Sequence, residues 1–258
     1  MLQNVKIWGY TISMYDFWNT VSTAVMFIYL VLQTKKLGDI FPYAVKQPTQ
    51  KRKTLISLGH VLAIIAAAFV LFKVLNPAFG EWFTHGNANY YGSLTAWFIA
   101  ITIMTVVFKT SPFHVHDIFA PALPIQLFFA KISCFFHGCC SGFELFGCWY
   151  FNRRTKRFEF PVQLIEILVA LALYVFLRRY QKRNKTPGSV FPVYVILYAA
   201  SRFMTEFLRA DFPNILGPLD AYQIMSIVYV FLGVILLRIV HVHHRRISCS
   251  LEESGSAH

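Results

Sequence analysis

Charge is scarce in this sequence, and negative charge is the scarcest. Only 14% of the 258 residues are charged, with 12 Asp and Glu against 24 Lys and Arg. A soluble domain carries about 25% charged residues, so the chain is neither an ordinary soluble enzyme nor a disordered protein. Five cysteines, an odd number in a long chain, exclude a small secreted scaffold built on disulfides. No basic leader with a small-residue cleavage site precedes the first apolar run, so we expect that run to be retained as an anchor.

Apolar residues dominate instead. They make up 56% of the chain, aromatic residues make up 17%, and the mean hydropathy is +0.50. Runs of about 20 apolar residues, which is the length that crosses a bilayer, recur along the sequence. We therefore predict an all-α, polytopic integral membrane protein with seven transmembrane helices. The seven predicted spans are residues 11–32, 55–75, 90–108, 113–137, 160–177, 188–208 and 219–240.

Most of the formal net charge of +12 has a topological explanation. Basic residues concentrate in 35–53, 178–185 and 238–246, which all fall on one side of a seven-span protein. Because basic loops are kept in the cytoplasm, this pattern predicts an N-terminus outside and a cytoplasmic C-terminus. We expect residues 1–247 to form the membrane domain and residues 248–258 to form a polar tail.

One basic cluster falls on the predicted outer side. It consists of Arg153, Arg154, Lys156 and Arg157, between the fourth and fifth spans. One interpretation is that stronger loops set the orientation and this cluster is tolerated against the rule. The other is a basic arm that meets anionic lipid headgroups or an anionic substrate.

Several ionisable residues lie inside or at the edge of apolar spans. They are Asp16, Asp117, Lys131, Glu166, Arg202 and Glu206. Each costs about 2.5–3.5 kcal/mol at a helix centre, so such residues either pair for packing or line a functional site. Arg202 and Glu206 are four residues apart and share a helix face, with Arg209 two turns beyond Arg202. Arg202 can neutralise Glu206 or use its planar guanidinium to bind a phosphate.

A second dense stretch, KISCFFHGCCSG at residues 131–142, follows the fourth span. Gly138 and Gly142 allow the backbone to approach a ligand closely and to present N–H groups to an anion. A phosphate bound there would have Lys131 and Arg202 to supply positive charge. The sequence thus favours an anion site built from both stretches.

The cysteines of this stretch allow four interpretations. They can be free thiols packed in a glycine turn, or Cys139 and Cys140 can form a strained redox-active disulfide. One of them can be a thiolate nucleophile activated by His137 and Lys131. A zinc site using Cys134, His137 and Cys140 would need a further ligand, and no matching distant pair is present. We therefore expect no metal and no cofactor.

Four segments together resemble the bacterial prolipoprotein diacylglyceryl transferase family. Residues 202–211, RFMTEFLRAD, are similar to its R-F-x-x-E-F-x-R-x-x-D signature. Residues 160–166, FPVQLIE, are similar to H-P-S-Q-L-Y-E, and residues 117–124, DIFAPALP, to D-x-x-A-P-x-x-P. Gly217, Pro218 and Leu219, with Gln223 and Ser226, fit the start of the family's last helix. The similarity extends from about residue 90 to residue 240.

Departures from the family pattern fall in its G-R-x-G-N-F-x-N-G-E-x-x-G and H-G-G-L motifs. The arginine, two asparagines and glutamate of the first motif align with Lys131, Cys134, His137 and Cys139. Gly138 and Gly142 are kept, whereas Tyr91 stands at the histidine of H-G-G-L and Phe160 at that of H-P-S-Q. The chain resembles a divergent, cysteine-rich branch.

The resemblance implies transfer of a diacylglyceryl or related group from phosphatidylglycerol to an acceptor thiol or other nucleophile. It implies the outer leaflet of a bacterial inner membrane, a lipoprotein precursor or other acceptor as partner, and no nucleic acid. The implied catalytic residues are Arg202, Lys131, His137, Tyr91, Glu206, Cys139 and Cys140. The implied substrate-binding residues are Cys134, Gly138, Gly142, Gln163, Glu166, Arg209 and Asp117.

Within this interpretation, Arg202 and Lys131 hold the departing phosphate, and His137 or Tyr91 handles the proton. Lysine cannot bind a phosphate through two parallel hydrogen bonds as arginine does. The change at Lys131 therefore weakens the inference that this chain uses the family's donor and reaction unchanged. Two alternatives stay open. One is a related lipid enzyme with Cys139 or Cys140 as nucleophile and a different acceptor. The other is a non-enzymatic lipid-binding or redox membrane protein on the same scaffold.

Overall fold

A computed structural model describes the chain in part, and the described part is mostly helical. It covers residues 4–7, 10–33, 63, 66–67, 70–71, 74–75, 90–107, 112–145, 150–152, 154–184, 186–209 and 219–255. In chain order its elements are β1 (Asn4–Ile7), β2 (Tyr10–Ser13), α1 (Met14–Leu32), α2 (Tyr90–Val107), α3 (Pro112–Phe119), α4 (Ala122–His137), β3 (Phe151–Asn152), β4 (Arg157–Phe158), α5 (Val162–Arg183), α6 (Val190–Glu206) and α7 (Ala221–Gly255). The strands form two small antiparallel hairpins, β1–β2 and β3–β4, which the all-α prediction did not include.

Three described helical segments are long and apolar enough to cross a membrane. They are Tyr90–Val107, Val115–His137 and Ala221–Arg246, with mean hydropathies of 1.5, 1.6 and 2.3. They agree with the predicted membrane class. The predicted span 55–75 lies mostly outside the described residues, and the number of seven spans and the orientation stay predictions. Helix α7 extends to Gly255, into the segment predicted as a polar tail.

The predicted span 113–137 is divided into two helices. Helix α3 ends at Phe119 and α4 begins at Ala122, with Pro121 at its N-cap position. Proline has no N–H to donate to the preceding turn, and its ring clashes with the carbonyl four residues earlier. The apolar pattern alone does not show this break, because Ala120 and Pro121 are themselves compatible with an apolar span.

The chain divides into two compact units, and the first contains 1–28, 120–184 and 192–236. In it α1 packs on α4: the indole of Trp18 stacks on Phe129 and Phe136 at 6.1 Å between centroids in each case. Helix α6 approaches α7 closely at Gly233, where an added Cβ would lie 2.6 Å from Cγ1 of Ile196. Small residues permit such close helix contacts in membrane proteins.

The second unit contains 29–119, 185–191 and 237–258. It includes the stacked rings of Phe98 and His116, 4.6 Å apart, and Phe191, 5.2 Å from Phe98. Asp117 accepts hydrogen bonds from the backbone N–H groups of Gly188 (2.6 Å) and Val190 (2.8 Å) at the start of α6. The carboxylate therefore satisfies N–H groups that a helix start leaves without a partner in its own helix.

Candidate functional site

A glycine turn ends α4 and folds the chain back over the last turn of the helix. Gly138 adopts φ 77°, and the N–H groups of Gly138 and Cys139 donate to the carbonyl of Cys134 at 2.9 and 3.2 Å. Cys140 also has a positive φ of 62°, which is uncommon for a residue with a side chain. The turn thereby gathers the Sγ atoms of Cys134, Cys139 and Cys140 within 4.8 Å of one another, all as free thiols.

The β3–β4 hairpin holds this turn in place. Nδ2 of Asn152 donates to the carbonyl of Gly138 at 2.9 Å and to Oε2 of Glu159 at 2.7 Å, and the hydroxyl of Ser141 donates to the same carboxylate oxygen. Asn152 and Glu159 are 1% and 6% exposed. Sequence reasoning missed these residues, because isolated polar residues in a loop carry no periodic signal. The hairpin thus supports the turn through a buried polar network.

Gly142 brings the turn against the segment that carries Arg209. The two residues form an antiparallel bridge, and the N–H of Phe143 donates to the carbonyl of Leu208 at 3.3 Å. A Cβ at Gly142 would overlap that carbonyl oxygen and would lie 2.7 Å from Cγ2 of Val162. The close approach that requires glycine here is made by the chain's own backbone.

Helix α5 presents polar groups from the first turns of its buried face. That face repeats every three or four residues and consists of Gln163, Glu166, Ala170, Leu173 and Leu177. The apolar members pack in the later turns, whereas the first two members are polar. This periodicity places Gln163 and Glu166 on the same side of the helix as the core.

Glu166 lies at the centre of a buried group of three cations. Its Oε2 is 2.8 Å from Nζ of Lys131, and its Oε1 is 2.9 Å from Nη1 of Arg202 and 4.0 Å from Nη1 of Arg209. Nη2 of Arg202 is also 2.6 Å from Oε2 of Glu206. We call Lys131, Glu166, Arg202, Glu206 and Arg209 the ion cluster. Arg202 pairs with Glu206, as one of the two sequence interpretations expected, and with a carboxylate 36 residues away as well.

The ion cluster has more positive than negative charge. Lys131, Arg202 and Arg209 oppose two glutamates, which leaves 3 − 2 = +1. Asp220 lies near Glu206, and its Oδ1 accepts the N–H of Gln223 at 2.7 Å. The ring of Tyr222 lies 5.2 Å from the guanidinium carbon of Arg202. A buried excess of positive charge favours binding of an anion.

Gln163 connects the ion-cluster face of α5 to the glycine turn. Its side chain is fully buried, and Nε2 donates to the carbonyl of Cys139 at 2.7 Å. Its Oε1 is buried without a hydrogen-bond partner among the residues that the structure describes. Buried acceptors are normally hydrogen-bonded, so this oxygen favours binding of a ligand whose hydroxyl group donates a hydrogen bond to it.

The Cys140 thiol and the Tyr150 hydroxyl, both near the turn, have shifted pKa values. The pKa of Cys140 is lowered because the thiols of Cys134 and Cys139 donate hydrogen bonds to its sulfur, with Lys131 adding a favourable charge and burial opposing the shift. Burial and the charge of Glu159 raise the pKa of Tyr150 to about 12, so its hydroxyl stays protonated. These environments favour negative charge on the sulfur cluster and neutrality at Tyr150.

The structure gathers most of the predicted site residues in the first unit. These are Lys131, Cys134, His137, Gly138, Cys139, Cys140, Gly142, Gln163, Glu166, Arg202, Glu206 and Arg209. Tyr91, which is 1% exposed on α2, and Asp117 belong to the second unit. Arg153 and the side chain of Asp16 lie outside the described residues. Asn152, Glu159 and Tyr222 were not predicted from the sequence.

Comparison with known proteins gives one consistent result. Residues 4–239 match the family model described as prolipoprotein diacylglyceryl transferase. The chain is 27% identical over 162 residues to phosphatidylglycerol–prolipoprotein diacylglyceryl transferase 2 of Clostridium perfringens, with 60% of the chain and 63% of the relative covered. It is 28% identical over 192 residues to the Campylobacter curvus transferase, with 69% of each covered. It is 30% identical over 146 residues to that of Campylobacter hominis, with 53% and 50% covered. The chain spans about half to two thirds of the length of these curated relatives.

Proposed function

Because the chain belongs to the prolipoprotein diacylglyceryl transferase family, we propose that it is a phospholipid-dependent transferase. It moves the diacylglyceryl group of phosphatidylglycerol to the thiol of a lipoprotein precursor, or to a related nucleophile. The observation that carries this proposal is the buried, positively charged ion cluster around Glu166. The relatives named above are phosphatidylglycerol–prolipoprotein diacylglyceryl transferases, which supports the same donor and acceptor.

The ion cluster is suited to the phosphate of the donor. A phosphodiester carries one negative charge, and the ion cluster holds three cations that can bind it. Arg202 and Arg209 offer planar guanidinium groups, which bind phosphate oxygens in pairs, and Lys131 adds a compact charge. Oε1 of Gln163 can accept a hydrogen bond from a glycerol hydroxyl of the headgroup. Recognition of phosphatidylglycerol thus rests on charge for the phosphate and on an amide oxygen for the glycerol.

The reaction requires charge to be stabilised as the donor divides. The acceptor thiolate forms a sulfur–carbon bond to the diacylglyceryl group, and the bond from that carbon to the phosphate oxygen breaks. The oxygen keeps the electron pair, so glycerol phosphate leaves with an added negative charge. Cations already held in place by Glu166 and Glu206 stabilise this charge without reorganising.

The basic β3–β4 hairpin supports a position of the site near the membrane surface. Arg154, Lys156 and Arg157 are exposed, and Arg157 pairs with exposed Glu144 at 2.7 Å. An exposed basic hairpin attracts anionic lipid headgroups to the side of the membrane where it lies. We place this hairpin and the reaction at the outer leaflet of a bacterial inner membrane, in a seven-span protein with its N-terminus outside.

Replacement of Arg202 tests the assignment. We expect Arg202→Ala to lower glycerol phosphate release from headgroup-labelled phosphatidylglycerol at least about 100-fold, because a preorganised charge for the leaving group is lost. Arg202→Lys keeps the charge and loses the paired geometry, so its rate should lie between those of Arg202→Ala and the wild type. The matched control is Lys182→Ala, which removes an exposed cation at the end of α5. Wild-type release by a folded Arg202→Ala protein, judged by its thermal midpoint, would rule the proposal out.

A further inference from the structure

The three thiols gathered by the glycine turn are not used by the phosphate site. Cys134 lies one turn beyond Lys131 on the same side of α4, and the turn returns Cys139 and Cys140 to it. All three residues are half-buried. Among the described residues, no His, Asp or Glu joins this group of three.

The spacing of these sulfur atoms fits a metal ion. Zinc binds cysteine at about 2.3 Å, which places the sulfurs of a tetrahedral site about 3.8 Å apart. The three Sγ atoms already lie within 4.8 Å of one another, so ion binding needs a contraction of about 1 Å at most. The sequence spacing alone did not reveal this site, because it offers one cluster and lacks the second pair that a closed zinc site needs.

Charge favours zinc over a monovalent ion. Zinc with three thiolates has a net charge of −1, whereas Cu⁺ with three thiolates has −2. Lys131 acts electrostatically on all three thiols, and Arg209 acts on Cys140. Three thiolates therefore carry less uncompensated negative charge beside Lys131 with a divalent ion than with a monovalent one. A three-thiolate zinc also keeps a fourth coordination position open, as catalytic zinc sites do.

We propose that Cys134, Cys139 and Cys140 bind a zinc ion whose fourth position takes the acceptor thiol. This inference rests on the proposed transfer function and names how its nucleophile is made. When bound, zinc holds a coordinated thiol as the thiolate. The chain's own contribution is to bind the ion beside Lys131 and to orient it through Gln163, which donates to the carbonyl of Cys139.

The proton and electron balance of this arrangement is complete. Binding of zinc releases to solvent the protons that the three cysteine sulfurs carry, and binding of the acceptor likewise releases its thiol proton. The acceptor sulfur then uses its electron pair to form the sulfur–carbon bond, and glycerol phosphate leaves with the electrons of the broken carbon–oxygen bond. No oxidant or reductant is required.

Metal content tests the site directly. We expect about one zinc per chain, measured by mass spectrometry of the metal in full-length protein purified in detergent without chelators. Cys134→Ser, Cys139→Ser and Cys140→Ser should each lower the zinc content at least about fivefold, because a ligand is lost. Cys249→Ser is the matched control, since it removes a thiol outside α4 and its turn, and it should keep the wild-type content. Absence of zinc after zinc is supplied, copper in its place, or a covalent lipid adduct on Cys140 would overturn the inference.

Substitution with Co²⁺ tests the fourth position independently of catalysis. Each thiolate adds to the sulfur-to-cobalt absorption in the near ultraviolet, so the intensity reports how many sulfurs coordinate. We expect three thiolates in the protein alone and four after a peptide with one cysteine is added. The same peptide with serine in place of cysteine should leave the spectrum unchanged. An unchanged spectrum with the cysteine peptide would overturn the role of the metal in binding the acceptor.

These measurements separate the two proposals. Four-sulfur coordination without glycerol phosphate release would keep the zinc site and contradict the transfer function. Full transfer activity in metal-free protein, and in the three cysteine variants, would keep the transfer function and contradict the zinc site.

Discussion

Glu166 organises the site at the scale of a single residue. Its carboxylate accepts cations from α4 and α6, and its side chain is only 6% exposed. Removal of one partner from a buried ion group leaves the other charges uncompensated, which costs about 3–5 kcal/mol. An exposed pair contributes about 0–1 kcal/mol, because water and salt screen it. Glu166 belongs to a buried ion group of this kind, and Glu144 belongs to an exposed ion pair.

We therefore expect Glu166→Gln to lower the free energy of unfolding by about 3–5 kcal/mol, measured by denaturation in detergent. The variant keeps the size of the side chain and loses the charge that faces three cations. Glu144→Gln, which removes the exposed partner of Arg157, is the control and should change the free energy by less than about 1 kcal/mol. Equal effects of the two substitutions would contradict the central position of Glu166.

At the scale of elements, the site depends on how a turn meets a helix end. Helix α4 supplies Lys131 and Cys134, and Gly142 then brings the chain against the segment after α6 that carries Arg209. Neither element alone positions Arg209. The bridge between Gly142 and Arg209 links the geometry of the thiol turn to that of the ion cluster.

Gly142→Ala tests this link. The added methyl group meets the carbonyl oxygen of Leu208 and the side chain of Val162, and such overpacking costs about 1–3 kcal/mol. We expect the displaced Arg209 to raise the KM for phosphatidylglycerol about tenfold, with a smaller change in the KM for the acceptor. Leu145→Ala, at an exposed position of the same loop, is the control. Equal changes in both KM values would point to general disruption of the fold.

At the scale of the whole molecule, the positions of exposed basic residues predict how the chain is oriented in the membrane. The exposed basic hairpin residues and the basic end of α5 fall on opposite sides in the predicted topology. Lys156 represents the first group and Lys182 the second, and both are exposed. Their accessibility in intact cells therefore reports the orientation of the protein.

A membrane-impermeant maleimide checks this orientation. We expect Lys156→Cys to be labelled in intact cells after outer-membrane permeabilisation, because the predicted topology places the hairpin outside. Lys182→Cys should be labelled only after the inner membrane is opened. Mass spectrometry of individual peptides separates these sites from the native cysteines. The opposite pattern would invert the predicted topology and move the reaction to the cytoplasmic leaflet.

The sequence by itself determined the membrane class and most of the residues of the candidate site. Hydropathy adds up locally along the chain, so long apolar runs reveal helices without knowledge of their packing. Charges in those runs are costly, so Lys131, Glu166, Arg202 and Glu206 stood out as site residues. Orientation and span number follow from the same local rules and stay predictions.

Only the tertiary structure decided which of these residues meet. The ion pair between Arg202 on α6 and Glu166 on α5, 36 residues apart, is a tertiary contact that no local pattern encodes. The three sulfur atoms meet because Gly138 reverses the chain and Asn152 holds the reversed turn from a separate hairpin. The oxygens of Asp117 accept hydrogen bonds at the start of α6, a contact that no sequence pattern indicated, and its role in substrate binding stays a prediction. Periodicity assigns a side chain to a face, whereas its partner depends on which element folds against that face.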